Sequence, residues 1–111
     1  MASLLLLHVP LYPKNKATGL EITHNQLNPP GEAIASEKHD DDVQVITVLE
    51  GNLLVWMSRQ PIPDNDPSAS KKIPILLGEH CSVAIPAGIY HRLEQHGTQP
   101  VKFISIYHSV A

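Results

Sequence analysis

The sequence predicts an all-β protein that folds as one compact barrel or sandwich domain. Ten prolines and six glycines are spread through the 111 residues and repeatedly interrupt short runs rich in β-branched residues. This punctuation is typical of strands and turns, and no window of ten or more residues keeps helical apolar spacing without a Pro or Gly. Nine or so short strands at regular spacing predict a sandwich or a barrel. The length fits a single domain, residues 1–111.

The first half of the chain supplies five of these strands, at residues 4–9, 20–27, 32–37, 43–50 and 53–57. Asn28-Pro-Pro-Gly31 forms a turn, and His39-Asp-Asp-Asp42 forms a polar loop or the entry into the next strand. The run at 43–50 is the strongest strand signal, and Gly51-Asn52 directly separates it from the run at 53–57. Two apolar runs joined by such a dipeptide predict a β-hairpin. Within the second run, Trp56 is expected in the core.

The second half predicts strands at residues 73–77, 81–85, 89–95 and 101–107. Ahead of them, residues 59–72 form a long polar loop rich in proline, which is read either as a mobile excursion or as a lid over a site. Cys81 falls at the start of a strand run, so we expect a buried structural thiol there. It is the only cysteine, which excludes a disulfide within the chain.

Charge and hydropathy exclude several classes of partner. The net charge is -3 with only eight lysines and arginines, and these form no basic stripe, so nucleic acid is not an expected partner. The apolar run at residues 4–7 is short and has neither a preceding basic residue nor a small-residue cleavage site, which argues against a signal peptide. No apolar stretch approaches the roughly 18 residues that span a bilayer. We expect a cytoplasmic protein without membrane contact.

The strand at residues 43–50 also bears on assembly. Its side chains alternate between two faces, and both faces are largely apolar, so both are expected to be covered. A small barrel has one interior, and a second layer must then come from the N-terminal strands or from another subunit. We therefore divide the domain into N-terminal strands (1–30) and a core barrel (31–108), and expect a homodimer.

The segment from Gly78 to His91 resembles the second motif of the cupin family, whose members are small double-stranded β-helix (jelly-roll) barrels. That motif is a Gly, a strand, and then Pro-x-Gly-x-x-His, which here is Gly78, Pro86, Gly88 and His91. The turn residues and the histidine fall together, so the match is specific. The resemblance covers roughly residues 20–107.

The first cupin motif is only half kept. Counting back from Gly51, Gln44 stands where the family has Glu, and His39 stands in the place of the second His. The position of the first His is taken by Glu37. In the family, these positions bind a divalent metal inside the barrel. The resemblance therefore implies a metal site made of Glu37, His39, Gln44 and His91.

Two imidazoles and one carboxylate form a facial triad that suits iron(II). Manganese, nickel and zinc are the other divalent transition metals that we expect such a site to accept. Several alternatives stay open. Glu37 is alternatively a solvated residue at a strand end, Gln44 a hydrogen-bonded core amide, and His39 a surface residue. A shifted register makes Asp41 or Asp42 the carboxylate ligand instead.

The resemblance implies a metal-dependent enzyme that acts on a small molecule, of the dioxygenase or the isomerase and lyase type. Such chemistry needs a base, for which Glu37 (if it is not a ligand), His24 and Tyr90 are the candidates. His24 is alternatively a half-exposed strand residue, and Tyr90 and Tyr107 either line the mouth of the pocket or pack. The remaining histidines are read as surface residues: His8, His80, His96 and His108. The alternative function is a non-catalytic cupin that binds a small ligand and has a degenerate metal site.

Overall fold

A computed structural model describes residues 7–110, which form an all-β structure of two antiparallel sheets. The nine strands within this range are β1 (Leu7–Asn15), β2 (Leu20–Leu27), β3 (Ala33–Glu37), β4 (Asp42–Glu50), β5 (Asn52–Ser58), β6 (Ile75–Leu77), β7 (Ser82–Ile85), β8 (Tyr90–His96) and β9 (Val101–Ser109). A short 3-10 helix, η1 (Pro67–Ser70), lies between β5 and β6. The predicted all-β, double-stranded β-helix fold is confirmed.

The five-stranded sheet has the order β1-β2-β9-β4-β7, and the four-stranded sheet has the order β3-β8-β5-β6. The predicted hairpin between residues 43–50 and 53–57 is wrong, because β4 pairs with β7 and β9 whereas β5 pairs with β6 and β8. Gly51, at φ +79°, turns the chain from one sheet into the other. A Cβ there would lie 2.4 Å from the carbonyl oxygen of Pro100, so this crossing needs glycine.

Most predicted strand positions agree with the structure, with differences at the ends. The first strand was predicted at residues 4–9, of which residues 4–6 lie outside the described residues, and β1 continues to Asn15. Strand β6 begins at Ile75 instead of residue 73, since Pro74 cannot donate to the sheet. Cys81 precedes β7 and is exposed, so the prediction of a buried thiol is wrong.

The barrel interior has an apolar end and a polar end. Its hydrophobic core consists of Leu27, Ile46, Val48, Leu53, Val55, Leu77, Ile85, Leu93, Val101 and Phe103. The inward-facing side chains change from apolar to polar along a strand. On β9 the next inward position after Phe103 is Ser105, and on β2 the inward position before Leu27 is Asn25. Because buried polar side chains need partners or a ligand, the polar end is where a binding site is expected.

The segment 59–72 packs on the outer face of the four-stranded sheet. Its Ile62 is buried, and its Asp64 contacts the guanidinium of Arg92 on β8 at 3.2 Å. Arg92 in turn lies over the ring of Trp56, at 5.1 Å, so that this aromatic side chain is buried on the outer face. This segment therefore covers the outside of the barrel and does not close its polar end.

The outer face of the five-stranded sheet carries a half-buried row of apolar side chains. Ile22, Ile106 and Val45 form one continuous row across β2, β9 and β4. Strands β1 and β2 belong to this sheet themselves, because β2 pairs with β9. They therefore do not form a second layer over its outer face. No helix of residues 7–110 is both long and apolar enough to cross a membrane.

Candidate metal centre

Three elements bring Glu37, His39 and His91 together at the polar end of the barrel. Glu37 ends β3 and lies directly opposite His91 of β8 in the antiparallel pairing. His39 lies in the connection between β3 and β4. The backbone N–H of Gly88 donates to the carbonyl oxygen of His39 at 2.9 Å, so the turn before β8 is bonded to the segment that carries the second histidine.

The ligand atoms of these three side chains all lie within 4.8 Å of one another. Glu37 Oε1 is 3.4 Å from His39 Nε2 and 3.6 Å from His91 Nε2. The two imidazole rings are tilted by 32° with their centroids 5.2 Å apart. Of the side chains, His91 is 1% exposed, His39 is 30% exposed and Glu37 is 47% exposed, so the cluster reaches from the interior to the rim.

The Nε2 atoms of His39 and His91 lie 3.4 and 3.6 Å from Glu37 Oε1, yet they make no hydrogen bond to any described residue. Nε2 of His39 and both ring nitrogens of His91 are buried and make no hydrogen bond to any residue between 7 and 110. Burying such groups without a partner costs roughly 1–3 kcal/mol each, so a ligand is expected to meet them. Two imidazoles and a carboxylate are ligands that divalent transition metals accept. The donor set and its unmet nitrogens fit such an ion.

The charge of Glu37 is favoured by its surroundings. The close polar contact with His91 lowers the pKa of the Glu37 carboxyl most strongly, and partial burial acts against it. The charges that His39 and His91 can carry lower this pKa further. The carboxylate form, which binds metal, is therefore the form that this cluster stabilises.

Gln44 lies beside the cluster with one half of its amide satisfied. Its Nε2 donates to Ser105 Oγ and to Tyr107 OH, both at 3.2 Å. Its Oε1 is buried and has no hydrogen-bond partner in the described part of the chain. The ring of Tyr107 meets the ring of His39 edge-on at 5.3 Å, which places Gln44 and the histidines around one space. The amide oxygen is therefore available to a ligand, and its role as a fourth metal ligand stays a prediction.

A cavity of about 220 Å³ adjoins the cluster and includes Glu37 and Gln44 in its wall. The remaining lining residues are both polar and apolar: His8, Asn25, Ile34, Leu93, Phe103, Ser105 and Tyr107. No lysine or arginine belongs to this lining. A larger open hollow at the β1–β2 turn shares no residue with the cluster and has no comparable set of buried polar groups.

Tyr107 serves this cavity as a neutral hydroxyl. Burial raises the pKa of Tyr107 to about 12, although a hydrogen bond to Ser105 opposes the shift, and the negative charge of Glu37 adds to it. The phenol is therefore protonated at neutral pH. Because its oxygen accepts from Gln44 Nε2, its own proton remains able to donate.

Of the three residues proposed as bases, Glu37 belongs to the cluster, whereas His24 and Tyr90 face away from it. The buried side chains of β2 are Thr23, Asn25 and Leu27, so strand alternation turns His24 to the outer face. Tyr90 directly precedes the inward-facing His91 on β8, so strand alternation turns Tyr90 outward as well. Its ring centroid lies 5.3 Å from the Lys38 ammonium.

The aspartates of the alternative register also lie elsewhere. Asp42 pairs with Lys14 at 3.7 Å and accepts a hydrogen bond from Ser109, whereas Asp41 lines the hollow at the β1–β2 turn. The structure thus brings Glu37, and neither aspartate, to the histidines.

His8 was predicted as a surface residue, and its place in the cavity wall was not expected from the sequence. His8 is exposed, yet it lines the cavity, and its Nδ1 lies 2.7 Å from Asn25 Oδ1. Asn25 Nδ2 donates to Thr23 Oγ1, which identifies Oδ1 as the oxygen facing the ring. The missed signal was the pair of buried polar residues Thr23 and Asn25 on one strand face, because polar residues at inward positions mark a polar pocket.

The family model that describes the cupin domain matches residues 26–107, which are most of the chain. The chain belongs to the cupin family. Cupins commonly bind a divalent metal, and the cluster of Glu37, His39 and His91 is a possible metal site in this barrel. No curated protein shows a significant match to this cupin.

Solved structures share the fold at low sequence identity. The protein TT1209 of Thermus thermophilus is 17% identical, with a TM-score of 0.71 over 94% of this cupin and 83% of its own chain. BH2720 of Bacillus halodurans is 27% identical, with a TM-score of 0.67 over 83% of this cupin and 64% of its own chain. An oxalate oxidase in complex with the substrate analogue glycolate is 19% identical, with a TM-score of 0.72 over 94% of this cupin and 51% of its own chain.

Proposed function

We propose that this cupin is a metal-dependent enzyme that holds one divalent transition metal and acts on a small molecule in the adjoining cavity. Glu37, His39 and His91 are the proposed ligands, and Gln44 Oε1 is the proposed fourth. The observation that carries the proposal is the meeting of three ligand atoms within 4.8 Å, among them a buried His91 nitrogen that makes no hydrogen bond within residues 7–110. When bound, such a metal acts as a Lewis acid on a substrate oxygen or as a centre for oxygen chemistry.

The cavity favours a small molecule with hydroxyl or carbonyl oxygens. Its volume of about 220 Å³ is below the range of roughly 300–1,000 Å³ that is usual for drug-sized ligands. Tyr107 offers a hydroxyl donor and Gln44 an acceptor, while Leu93 and Phe103 contact the apolar face of the ligand. An anionic substrate would have to place its charge on the metal, since no basic side chain lines the cavity.

Proton transfer in this proposal belongs to His8. Its Nδ1 faces the Asn25 carbonyl oxygen, so in the neutral ring Nδ1 carries the proton and Nε2 is left to accept one. The ring lines the same cavity as Glu37 and Tyr107. The likeness to an oxalate oxidase supports only that this fold can carry an enzyme. Measuring whether turnover consumes oxygen would distinguish oxygenase chemistry from isomerase or lyase chemistry in this cupin.

Metal analysis of protein purified without an affinity tag tests the proposal. We expect close to one transition-metal ion per chain, and we expect His91→Ala to lose it while His80→Ala, which replaces an exposed histidine outside the cluster, retains it. Retention of metal by a variant lacking both His39 and His91 would refute the site.

The alternative is a cupin that binds a small ligand without turnover, and the neutral Gln44 at the fourth position favours it, because an amide is a weaker ligand than a carboxylate. Metal-loaded protein that binds small hydroxylated molecules, and neither consumes oxygen nor converts them, would support this alternative over the enzyme.

A further inference from the structure

Strand β3 carries a β-bulge directly before Glu37. Ile34 pairs with Leu93 and Glu37 pairs with His91, so two residues of β3 stand opposite the single residue Arg92 of β8. Side chains alternate along a regular strand, and three positions would put Ile34 and Glu37 on opposite faces. Both nevertheless line the cavity. The extra residue is therefore what turns the Glu37 carboxylate inward, toward His91.

A bulge frees backbone groups from the ladder, and here an acid from the long segment between β5 and β6 meets one of them. Asp64 Oδ1 accepts a hydrogen bond from the backbone N–H of Ser36 at 3.0 Å. The same oxygen accepts from Arg92 Nε at 3.2 Å. One carboxylate oxygen thus holds the bulged strand and the residue opposite the bulge together.

The two partners of Asp64 are themselves fixed. Arg92 is almost fully buried and also donates from Nη1 to Glu94 Oε1 at 2.6 Å. Ser36 Oγ accepts from the N–H of Ile62, whose side chain is buried, which anchors the segment next to Asp64. Ser36 precedes Glu37, and Arg92 follows His91, so this anchor is one residue away from each of two proposed metal ligands.

We propose that Asp64 is a positioning residue that holds the β3 bulge and thereby keeps Glu37 aimed at the metal site. This inference rests on the proposed function for its metal readout. Without the carboxylate, the N–H of Ser36 loses its acceptor, and β3 can relax toward regular pairing, which turns Glu37 outward. Asp64 touches neither the metal ligands nor the cavity, and acts only through the backbone of its neighbours.

Titration with Co²⁺ tests the proposal with a matched control. We expect Asp64→Ala to weaken Co²⁺ binding by about tenfold, at the lower end of the range of roughly 10–100-fold seen when outer partners of metal ligands are removed. Asp66→Ala removes an acid of the same segment whose side chain contacts Ser68, and it should leave the affinity unchanged. Asp64→Asn keeps an acceptor oxygen and should restore most of the affinity. Equal affinities of Asp64→Ala and Asp66→Ala would overturn the proposal.

A double variant separates positioning from a general loss of structure. If Asp64 acts through Glu37, then Asp64→Ala should add no further loss of Co²⁺ affinity in a Glu37→Gln background. An unchanged tenfold loss in that background would show that Asp64 supports the barrel as a whole, and would overturn the inference.

A measurement on the metal-free protein keeps this inference apart from the proposed function. Nuclear Overhauser contacts between the Glu37 side chain and the His91 ring should be present in the wild type and in Asp66→Ala, and lost in Asp64→Ala, with faster amide exchange at Ser36. If the wild type binds no Co²⁺ but the contacts between Glu37 and His91 are present in it and lost in Asp64→Ala, the metal site alone is refuted. Contacts that persist in Asp64→Ala would refute the positioning role alone.

Discussion

Two buried glutamines of this barrel differ in how completely their amides are satisfied, and replacing each by leucine should separate function from stability. Gln44 and Gln95 are both 2% exposed and both lie on strands. Gln95 uses its whole amide: Oε1 accepts from Gly31 N–H at 2.7 Å, and Nε2 donates to two backbone carbonyls at 2.7 and 2.8 Å. Gln44 donates twice, yet its Oε1 is buried without a protein partner in the described residues.

The expected magnitudes follow from these contacts. A hydrogen bond contributes about 1 kcal/mol net, and a buried polar atom without a partner costs roughly 1–3 kcal/mol. Gln95→Leu loses three bonds and should lower the free energy of unfolding by about 3 kcal/mol. Gln44→Leu loses two bonds but removes the unpaired oxygen, so the two effects offset and the change should stay within about 1 kcal/mol. Such near-neutrality is typical of a residue kept for binding.

Urea unfolding of the metal-free proteins, analysed with a common m-value, gives both numbers. We also expect Gln44→Leu to weaken Co²⁺ binding, since it removes the proposed fourth ligand, whereas Gln95→Leu should not change the affinity of the folded protein. A loss of about 3 kcal/mol or more in Gln44→Leu would mean that its amide is a structural group, and the reasoning about its unmet oxygen would be wrong.

Three further predictions concern the barrel itself. Gly88→Ala should cost roughly 1–2 kcal/mol, because its left-handed backbone strains an alanine, and Gly51→Ala should cost well over that amount. A Cβ at Gly51 would clash with the carbonyl oxygen of Pro100, whereas a Cβ at Gly88 meets nothing within 4 Å. Equal unfolding midpoints of the two variants would contradict this prediction. The pKa of Tyr107 is about 12, above its ordinary value of 10.0, so the unfolded chain loses this proton first and stability should fall as pH rises from 10 toward 12; Tyr107→Phe should flatten that fall in urea midpoints measured across the window. We propose that a second copy of this chain covers the apolar outer face of the five-stranded sheet, so light scattering should give a dimer for the wild type and a monomer for Ile106→Asp, and a monomeric wild type would refute it.

Local patterns were enough to predict most strands, and the resemblance to the cupin motifs implied how His39 and His91 converge. Proline and glycine punctuation indicated an all-β chain because those residues limit backbone angles wherever they occur. The resemblance of Pro86, Gly88 and His91 to a cupin motif implied that His91 enters the barrel, and the structure brings it to His39 and Glu37. The full choice of ligands, with Gln44 as the fourth, stays a prediction.

Other features depend on pairing between distant residues, which no local pattern encodes. The apolar runs around Gly51 looked like a hairpin, yet each strand pairs with partners 30 or more residues away along most of its length. His24 and Tyr90 have residue types suited to proton transfer, but one position of strand alternation turns them outward. His8 joins the cavity only because β1 pairs with β2 in this register.

The sequence by itself determined that the chain is all-β and where its turns fall, because these depend on residue type and short-range spacing. Its resemblance to the cupin motifs implied which histidines meet. Only the tertiary structure decided which acid reaches those histidines, since a single extra residue in β3 reverses the face on which Glu37 lies. It also decided that the segment after β5 packs on the outer face, where Asp64 can hold that bulge, because this contact joins residues that are 28 positions apart in the chain.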